Sequence, residues 1–169
     1  MRKQRNNHNT LKRLLLVCYG AIMLYLLFVR GRGVESALSY WERVLLNYNL
    51  EPFHTIRNYW DILARPEYYL EKWEAYAIYK AQATAAIVNL VGNVVMFVPL
   101  GCLLPTVWEK LRKFLMTVLA GAGIIVAIEL TQLLTLRGSC DVDDLILNLC
   151  GIVVGYVLWR IVHLIRYKR

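Results

Sequence analysis

The fold of this chain is decided by residues 141–165, DVDDLILNLCGIVVGYVLWRIVHLI. From Leu145 to Ile165 the only Asp, Glu, Lys, Arg or His side chains are Arg160 and His163, which lie near the end of the stretch. A helix rises about 1.5 Å per residue, so a run of this length can cross the roughly 30 Å of hydrocarbon in a bilayer. The stretch therefore predicts a membrane-spanning helix over residues 145–165.

Three more apolar stretches of similar length come earlier in the chain, at residues 11–29, 85–104 and 114–136. The chain as a whole has 169 residues, of which 58% are hydrophobic, and this composition is too apolar for an ordinary soluble domain. We therefore predict an all-α membrane protein, a bundle of four transmembrane helices, formed by a single domain over residues 1–169.

The long connection between the first two spans, residues 30–84, holds most of the Trp and Tyr side chains of the chain. Within it, residues 67–79 (EYYLEKWEAYAIY) have the pattern of an amphipathic helix with an aromatic belt. Such a helix lies at the level of the lipid headgroups rather than across the membrane. We predict an extracytoplasmic interfacial helical segment here, acting either as a cap over the bundle or as a lid over a ligand.

The positive charge of the chain, +8 in net, is concentrated where a membrane protein marks its cytoplasmic side. Lys and Arg are frequent in residues 2–13, in the loop after the second span and in the C-terminal tail, whereas the loop after the third span has only Arg137 against three aspartates. Short loops rich in Lys and Arg stay in the cytoplasm. We therefore predict a multi-pass membrane protein with both termini cytoplasmic, and no nucleic-acid partner.

Polar side chains occur inside or beside these apolar stretches, where each costs several kcal/mol to insert and so needs a reason. The spacing of Asn89 and Asn93, and that of Glu129 and Gln132, puts each pair on one helix face. With the orientation above, all these groups lie near the outer surface of the membrane. The sequence therefore predicts one outward-facing polar pocket with a set of ligand-binding residues: Asn89, Asn93, Glu129, Gln132, Arg137, Asp141, Asp144 and Asn148.

Other roles are open for the same residues. Asp141 or Asp143 can cap the fourth helix, and Asn89 and Asn93 can join helices by hydrogen bonds without any ligand. Asp141, Asp144 and Asn148 offer oxygen ligands that suit Mg²⁺ or Ca²⁺, but no recognised loop spacing supports a metal site, and we predict none.

Catalysis is a further alternative, in which Glu129 and Asp144 act as acid and base if burial separates their pKa values. No nucleophile is evident, and the three histidines form no triad in the sequence. Cys18, Cys102 and Cys150 lie in apolar stretches and no CxxC occurs, so we expect no disulfide, zinc site or other cofactor. Whether the protein is an enzyme stays open, with the balance against it.

Small residues on the third and fourth spans predict a tightly packed bundle. Gly151 and Gly155 form a GxxxG pattern, and residues 120–123 of the third span are all Ala or Gly. Small side chains let helix backbones approach closely, which is how helices associate in lipid. The same GxxxG pattern could also support a homo-oligomer through Gly151 and Gly155.

Three motifs in order resemble those of the VanZ family. They are N-x-x-x-N-x-x-x-F-x-P-x-G over residues 89–101, E-x-x-Q over residues 129–132 and D-x-x-D-x-x-x-N-x-x-G over residues 141–151. An earlier N-L-x-P-F element at residues 49–53, containing Pro52 and Phe53, is similar to one that members carry between the first two spans. The resemblance covers most of the chain.

This resemblance implies a small membrane protein with the VanZ-like fold, associated in Gram-positive bacteria with resistance to the glycopeptide antibiotic teicoplanin. It implies functional roles for a set of motif residues: Asn89, Asn93, Pro99, Glu129, Gln132, Asp141, Asp144 and Asn148. Expected partners are membrane lipid and, in the outer pocket, a lipid-linked wall precursor, an anionic lipid headgroup or the lipoglycopeptide itself. The alternative is a membrane enzyme for a lipid-linked substrate, with Glu129 and Asp141 or Asp144 as acid, base or metal ligands.

Overall fold

The computed structural model describes residues 2–29 and 37–167, with the side chains of residues 10–28 and 37–166. The first residues of the predicted extracytoplasmic segment, 30–36, lie outside the described residues. Four long helices in the described part are apolar enough to cross a membrane. They are α1 (Arg2–Leu24), which a π-helix continues over Tyr25–Val29, α5 (Tyr76–Val107), α6 (Phe114–Thr135) and α7 (Val142–Tyr167). The predicted four-span, all-α fold is confirmed.

Helix α5 is longer than the span predicted from the sequence, because it begins at Tyr76 rather than at residue 85. It has 32 residues and stays helical through Pro99 and Pro105. At about 1.5 Å per residue it is about 48 Å long, well beyond the roughly 30 Å of hydrocarbon. Its first turns therefore extend past the bilayer core, where the helices that precede it can pack against them.

The described part of the connection between α1 and α5 contains three short helices: α2 (Tyr40–Leu46), α3 (His54–Ala64) and α4 (Pro66–Trp73). The single helix expected over residues 67–79 is wrong, because it is divided at Glu74, which has a left-handed φ of 49°. Residues after Glu74 belong to α5, and α4 folds back to contact that helix. One continuous helix cannot fold back on itself, so packing of α4 against α5 requires the break.

A two-stranded parallel sheet ties this connection to the loop between α6 and α7. Strand β1 (Tyr48–Asn49) pairs with β2 (Cys140–Asp141), with Tyr48 opposite Cys140 and Asn49 opposite Asp141. The sheet places the N-L-x-P-F element directly beside the start of α7. Two segments about 90 residues apart therefore meet at one end of the bundle, which we call the α3 end.

The bundle is held together by close contact between α5 and α7, the helix pair with the most extensive interface. A Cβ atom at Gly151 would overlap the carbonyl oxygen of Val94, and one at Gly155 would overlap that of Val98. The tight packing predicted from the GxxxG pattern is thus present inside one chain. An oligomer through Gly151 and Gly155 stays a prediction, and it would need these buried faces to separate from α5.

Candidate functional site

Asp143 is fully buried at the start of α7 and caps a different helix, α3. Its carboxylate accepts hydrogen bonds from the backbone N–H groups of Phe53 (2.5 Å) and Ile56 (3.0 Å). Phe53 is the residue before α3 and has a left-handed φ of 64°. A carboxylate at this place satisfies N–H groups that have no partner within the helix and offsets the positive end of the helix dipole. Asp143 therefore holds α3 on the bundle.

Asp141 caps α7 and also binds the N-L-x-P-F element. Its Oδ1 accepts a hydrogen bond from the backbone N–H of Asp143 (2.9 Å), and its Oδ2 accepts one from Thr55 Oγ1 (2.6 Å). The Asn49 side-chain amide lies 3.4 Å from Oδ1 and donates to the same carboxylate. The capping role considered for Asp141 is therefore real, and the protein already supplies several donors to this carboxylate.

Asp144 joins α7 to the predicted polar face of α5. Its Oδ1 accepts hydrogen bonds from the side-chain amides of Asn93 (2.6 Å) and Asn89 (3.3 Å). All three side chains are half-buried. The expectation that Asn89 and Asn93 share a face that points at the aspartates of the last span agrees with these contacts.

Glu129 and Asn148 lie deeper, with 6% and 3% of their surfaces exposed. No described residue donates a hydrogen bond to Glu129 Oε2, to Asn148 Oδ1 or to the Oδ1 atom of Asn89. Asn148 follows Asp144 by one turn on α7, and the Glu129 carboxyl on α6 is close enough to Asp144 for the two charges to interact. We call Asn89, Asn93, Glu129, Asp144 and Asn148 the polar cluster.

Two residues expected in the pocket, Gln132 and Arg137, lie outside the polar cluster. The Gln132 side-chain amide donates to the Leu27 carbonyl oxygen (3.2 Å), in the π-helix that continues α1. Arg137 is exposed in the loop between α6 and α7. Gln132 therefore joins α6 to the end of α1, and nothing in its contacts brings it to Asp144.

The structure adds residues that the sequence did not single out. Tyr59 on α3 is half-buried above the aspartates, and burial together with the charges of Asp144 and Asp141 raises the pKa of its hydroxyl. Burial and the nearby charges of Glu129 and Asp141 raise the pKa of the Cys140 thiol in the same way. No spacing in the sequence could have found Tyr59, because it comes to the site through the packing of α3 on α5 and α7.

The chemistry of the polar cluster is that of an acceptor site. Its oxygens outnumber the donors that the described residues supply, and its two carboxylates belong to helices that cross the membrane. Among the described residues, no three His, Cys, Asp or Glu side chains converge as metal ligands do. The cluster is therefore suited to a partner that brings hydrogen-bond donors or positive charge.

An apolar cavity of about 610 Å³ lies between α1, α5 and α6, next to the polar cluster. Tyr19, Met23, Phe97, Leu100 and Ile128 are among its lining residues. The Tyr19 hydroxyl donates to the Met96 carbonyl oxygen (2.6 Å), which joins α1 to α5. Phe97 is one turn along α5 from Asn93, so the apolar wall begins about 6 Å along the helix from the polar cluster.

Comparison with protein families agrees with this architecture. No match was found among curated proteins or among solved structures. The VanZ/LLP1 family model matches residues 15–163, which include the second and third spans, most of the first and last, the N-L-x-P-F element and the whole polar cluster. The chain therefore belongs to the VanZ/LLP1 family.

Proposed function

We propose that the polar cluster binds a cell-envelope ligand at the outer side of the bacterial cytoplasmic membrane, and that this binding lowers susceptibility to teicoplanin. The observation that carries the proposal is a set of buried acceptor oxygens, on Glu129, Asn148 and Asn89, to which no residue in the described part of the chain donates. An unsatisfied buried polar group costs roughly 1–3 kcal/mol, and more if it is charged. A ligand that supplies the missing donors would offset this cost.

A purely structural role fits Asp141 and Asp143 better than it fits the cluster. Those two carboxylates accept hydrogen bonds from backbone and side-chain donors of the same chain, so their places are explained without a ligand. Glu129 is only partly explained in this way: the Asp141 backbone forms a hydrogen bond with its carboxyl group, but Oε2 is buried and no described residue donates to it. Intramembrane acids of this kind usually mark a functional site.

The proposed outer location follows from the distribution of basic residues. The α3 end carries the three aspartates of residues 141–144, whereas the opposite loop, at the end of α5, carries Lys110, Arg112 and Lys113. The positive-inside rule puts that opposite loop in the cytoplasm. The cluster then faces the outer side of the membrane, where glycopeptides act.

The apolar cavity supports a ligand that is itself amphiphilic. Along α5, the polar side chains of Asn89 and Asn93 are followed by Phe97, which lines the apolar cavity. A lipid or lipid-linked precursor would bring a polar headgroup to the cluster and a chain to the cavity. Holding such a molecule would limit the access of teicoplanin to its target or to the membrane.

The test is teicoplanin and vancomycin susceptibility in a sensitive Gram-positive host that expresses wild type, Glu129→Gln or Glu109→Gln at matched levels. Glu109 is exposed near the opposite end of the bundle, so its variant controls for the loss of one negative charge. We expect wild type and Glu109→Gln to reduce susceptibility to teicoplanin more than to vancomycin, and Glu129→Gln to lose this effect. Equal protection by all three proteins would contradict the role of the cluster.

An enzymatic role is favoured by one observation, the proximity of a buried acid, Glu129, to the half-buried acid Asp144. Two carboxylates in different environments can serve as acid and base. Lipid and wall-precursor profiles of the same three strains separate the two functions. A new product that depends on Glu129 would establish the enzyme, and unchanged profiles together with altered susceptibility would establish binding.

A further inference from the structure

We propose that the group recognised by the polar cluster is the primary ammonium of a lipid headgroup. This inference rests on the proposed function, because it names the class of ligand that the same site binds. It differs from the anionic headgroup that the sequence suggested. Three features of the site favour this group: its acidic side chains, its hydrogen-bond acceptors without a donor and the neighbouring apolar cavity.

The ionisable side chains gathered at the site are acidic. Glu129, Asp141, Asp143 and Asp144 lie together at the α3 end, and none of the four is joined to a Lys or Arg by an ion pair within the described side chains. Like charges at short range repel most strongly where the dielectric is low. A bare phosphate or carboxylate would meet this repulsion, whereas a cation would relieve it.

The atoms at the site that still lack a hydrogen-bond partner are acceptors. Asp141 and Asp143 are already satisfied by donors of the chain, and the Oδ1 atom of Asp144 accepts from two amides. Buried oxygens of Glu129, Asn148 and Asn89 are left without a donor. A primary ammonium carries one positive charge and three N–H donors, which suits a set of carboxylate and amide oxygens. A quaternary ammonium has the charge but no N–H to donate.

The neighbouring cavity favours a lipid over a soluble amine. Its apolar lining begins one turn along α5 from Asn93 and lies between helices that span the membrane. An acyl chain gains about 0.8 kcal/mol for each CH₂ group that it buries. A lipid amine can therefore use the polar cluster and the cavity together, and a free amine cannot.

The experiment measures the thermal unfolding of the purified full chain in detergent while lipids are added. Phosphatidylethanolamine and phosphatidylcholine carry the same phosphate and the same net charge, but only the former has N–H donors. We expect phosphatidylethanolamine to raise the unfolding temperature at a concentration at least about tenfold lower than phosphatidylcholine, because charged hydrogen bonds are lost with the latter. This comparison uses the wild-type protein, so it does not depend on the folding of any variant.

Variants of the polar cluster test whether the shift in unfolding temperature arises at this site. The phosphatidylethanolamine shift should be lost in Glu129→Gln and in Asp144→Asn, which are close in shape to the wild type, and kept in Glu109→Gln. Equal shifts with phosphatidylethanolamine and phosphatidylcholine would overturn the role of the N–H donors. An equal shift with soluble ethanolamine would overturn the role of the lipid chain.

Additional probes distinguish an incorrect ammonium assignment from an incorrect proposed function. If phosphatidylglycerol or Mg²⁺ gives the larger shift, and Glu129→Gln removes it, then the site binds a ligand but the ammonium assignment is wrong. If neither these probes nor a total lipid extract gives a shift that depends on Glu129 or Asp144, both the ammonium assignment and ligand binding by the cluster are contradicted. The susceptibility measurement checks the proposed function independently of lipid chemistry.

Discussion

Asp143 illustrates how much of a motif can be structural. The run of three aspartates at residues 141–144 looks like a ligand set in the sequence, yet the Asp143 carboxylate is occupied by two backbone N–H groups from the start of α3. Those donors come from Phe53 and Ile56, far away in the chain. No local pattern could separate the capping aspartates from Asp144, because the distinction depends on a tertiary contact.

Replacement of Asp143 by Ala should destabilise the protein by roughly 2–4 kcal/mol, because two buried N–H groups lose a charged acceptor. Asp143→Asn keeps one acceptor oxygen and should cost less. The measurement is reversible unfolding in mixed micelles, combined with hydrogen exchange of the α3 amides. Asp61→Ala is the control on α3, since Asp61 accepts from the exposed Arg65 and from the Tyr69 hydroxyl but from no buried backbone N–H group, and its loss should cost less.

Equal stability of Asp143→Ala and Asp61→Ala would show that the α3 cap does not depend on this carboxylate. In that case the fit of α3 over the cluster would have to come from its apolar contacts with α5 and α7 alone.

The α5–α7 pair shows which features of an element can be read from the sequence. The small-residue spacing of Gly151 and Gly155 depends only on helix geometry, so close packing is predictable and is present. The break at Glu74 depends on α4 folding back against α5, which no propensity encodes. The early start of α5 at Tyr76 was missed because its first turns are less apolar than a membrane span requires.

Two glycine substitutions test this packing directly. Gly151→Ala should destabilise the protein by roughly 1–3 kcal/mol, because the new methyl group overlaps the Val94 carbonyl and α7 must shift away from α5. Gly123→Ala on α6 is the control, since a Cβ there has nothing within 4 Å. In that open position Ala should be neutral or stabilising by up to about 1 kcal/mol. Unfolding temperatures of both variants, measured in the same detergent, give the comparison.

If the two substitutions have the same effect on the unfolding temperature, the α5–α7 contact is looser than the structure indicates. The polar cluster would then be less well defined as well, because Asn89, Asn93 and Asp144 meet across the same interface.

At the scale of the whole molecule, the sequence predicted the four spans and the gathering of polar groups near one end. The family match over residues 15–163 agrees with the motif resemblance. What the sequence could not supply is how the connection between α1 and α5 closes over that end. The β1–β2 pairing and the α3 cap join segments that are distant in the chain, and they bring Tyr59 to the site.

The orientation of the molecule gives a further prediction. In a variant that has the four native cysteines replaced, a thiol introduced as Ser139→Cys should react with a membrane-impermeant maleimide in intact cells. A thiol introduced as Lys110→Cys should react only after permeabilisation, because the loop that carries it is rich in Lys and Arg. Residues 139 and 110 are both exposed, so their accessibility differs only by side of the membrane. The reverse labelling pattern would place the cluster in the cytoplasm.

The central claim is that the polar cluster holds a ligand through buried acceptor oxygens that receive no hydrogen bond from the described residues. Native mass spectrometry of the protein extracted from its own membrane tests this claim most directly, with wild type, Glu129→Gln, Asp144→Asn and Glu109→Gln compared at equal detergent exposure. We predict that wild type and Glu109→Gln retain one lipid-sized adduct, and that both cluster variants lose it while remaining folded. The same adduct in all four proteins, or none in the wild type, would contradict the account.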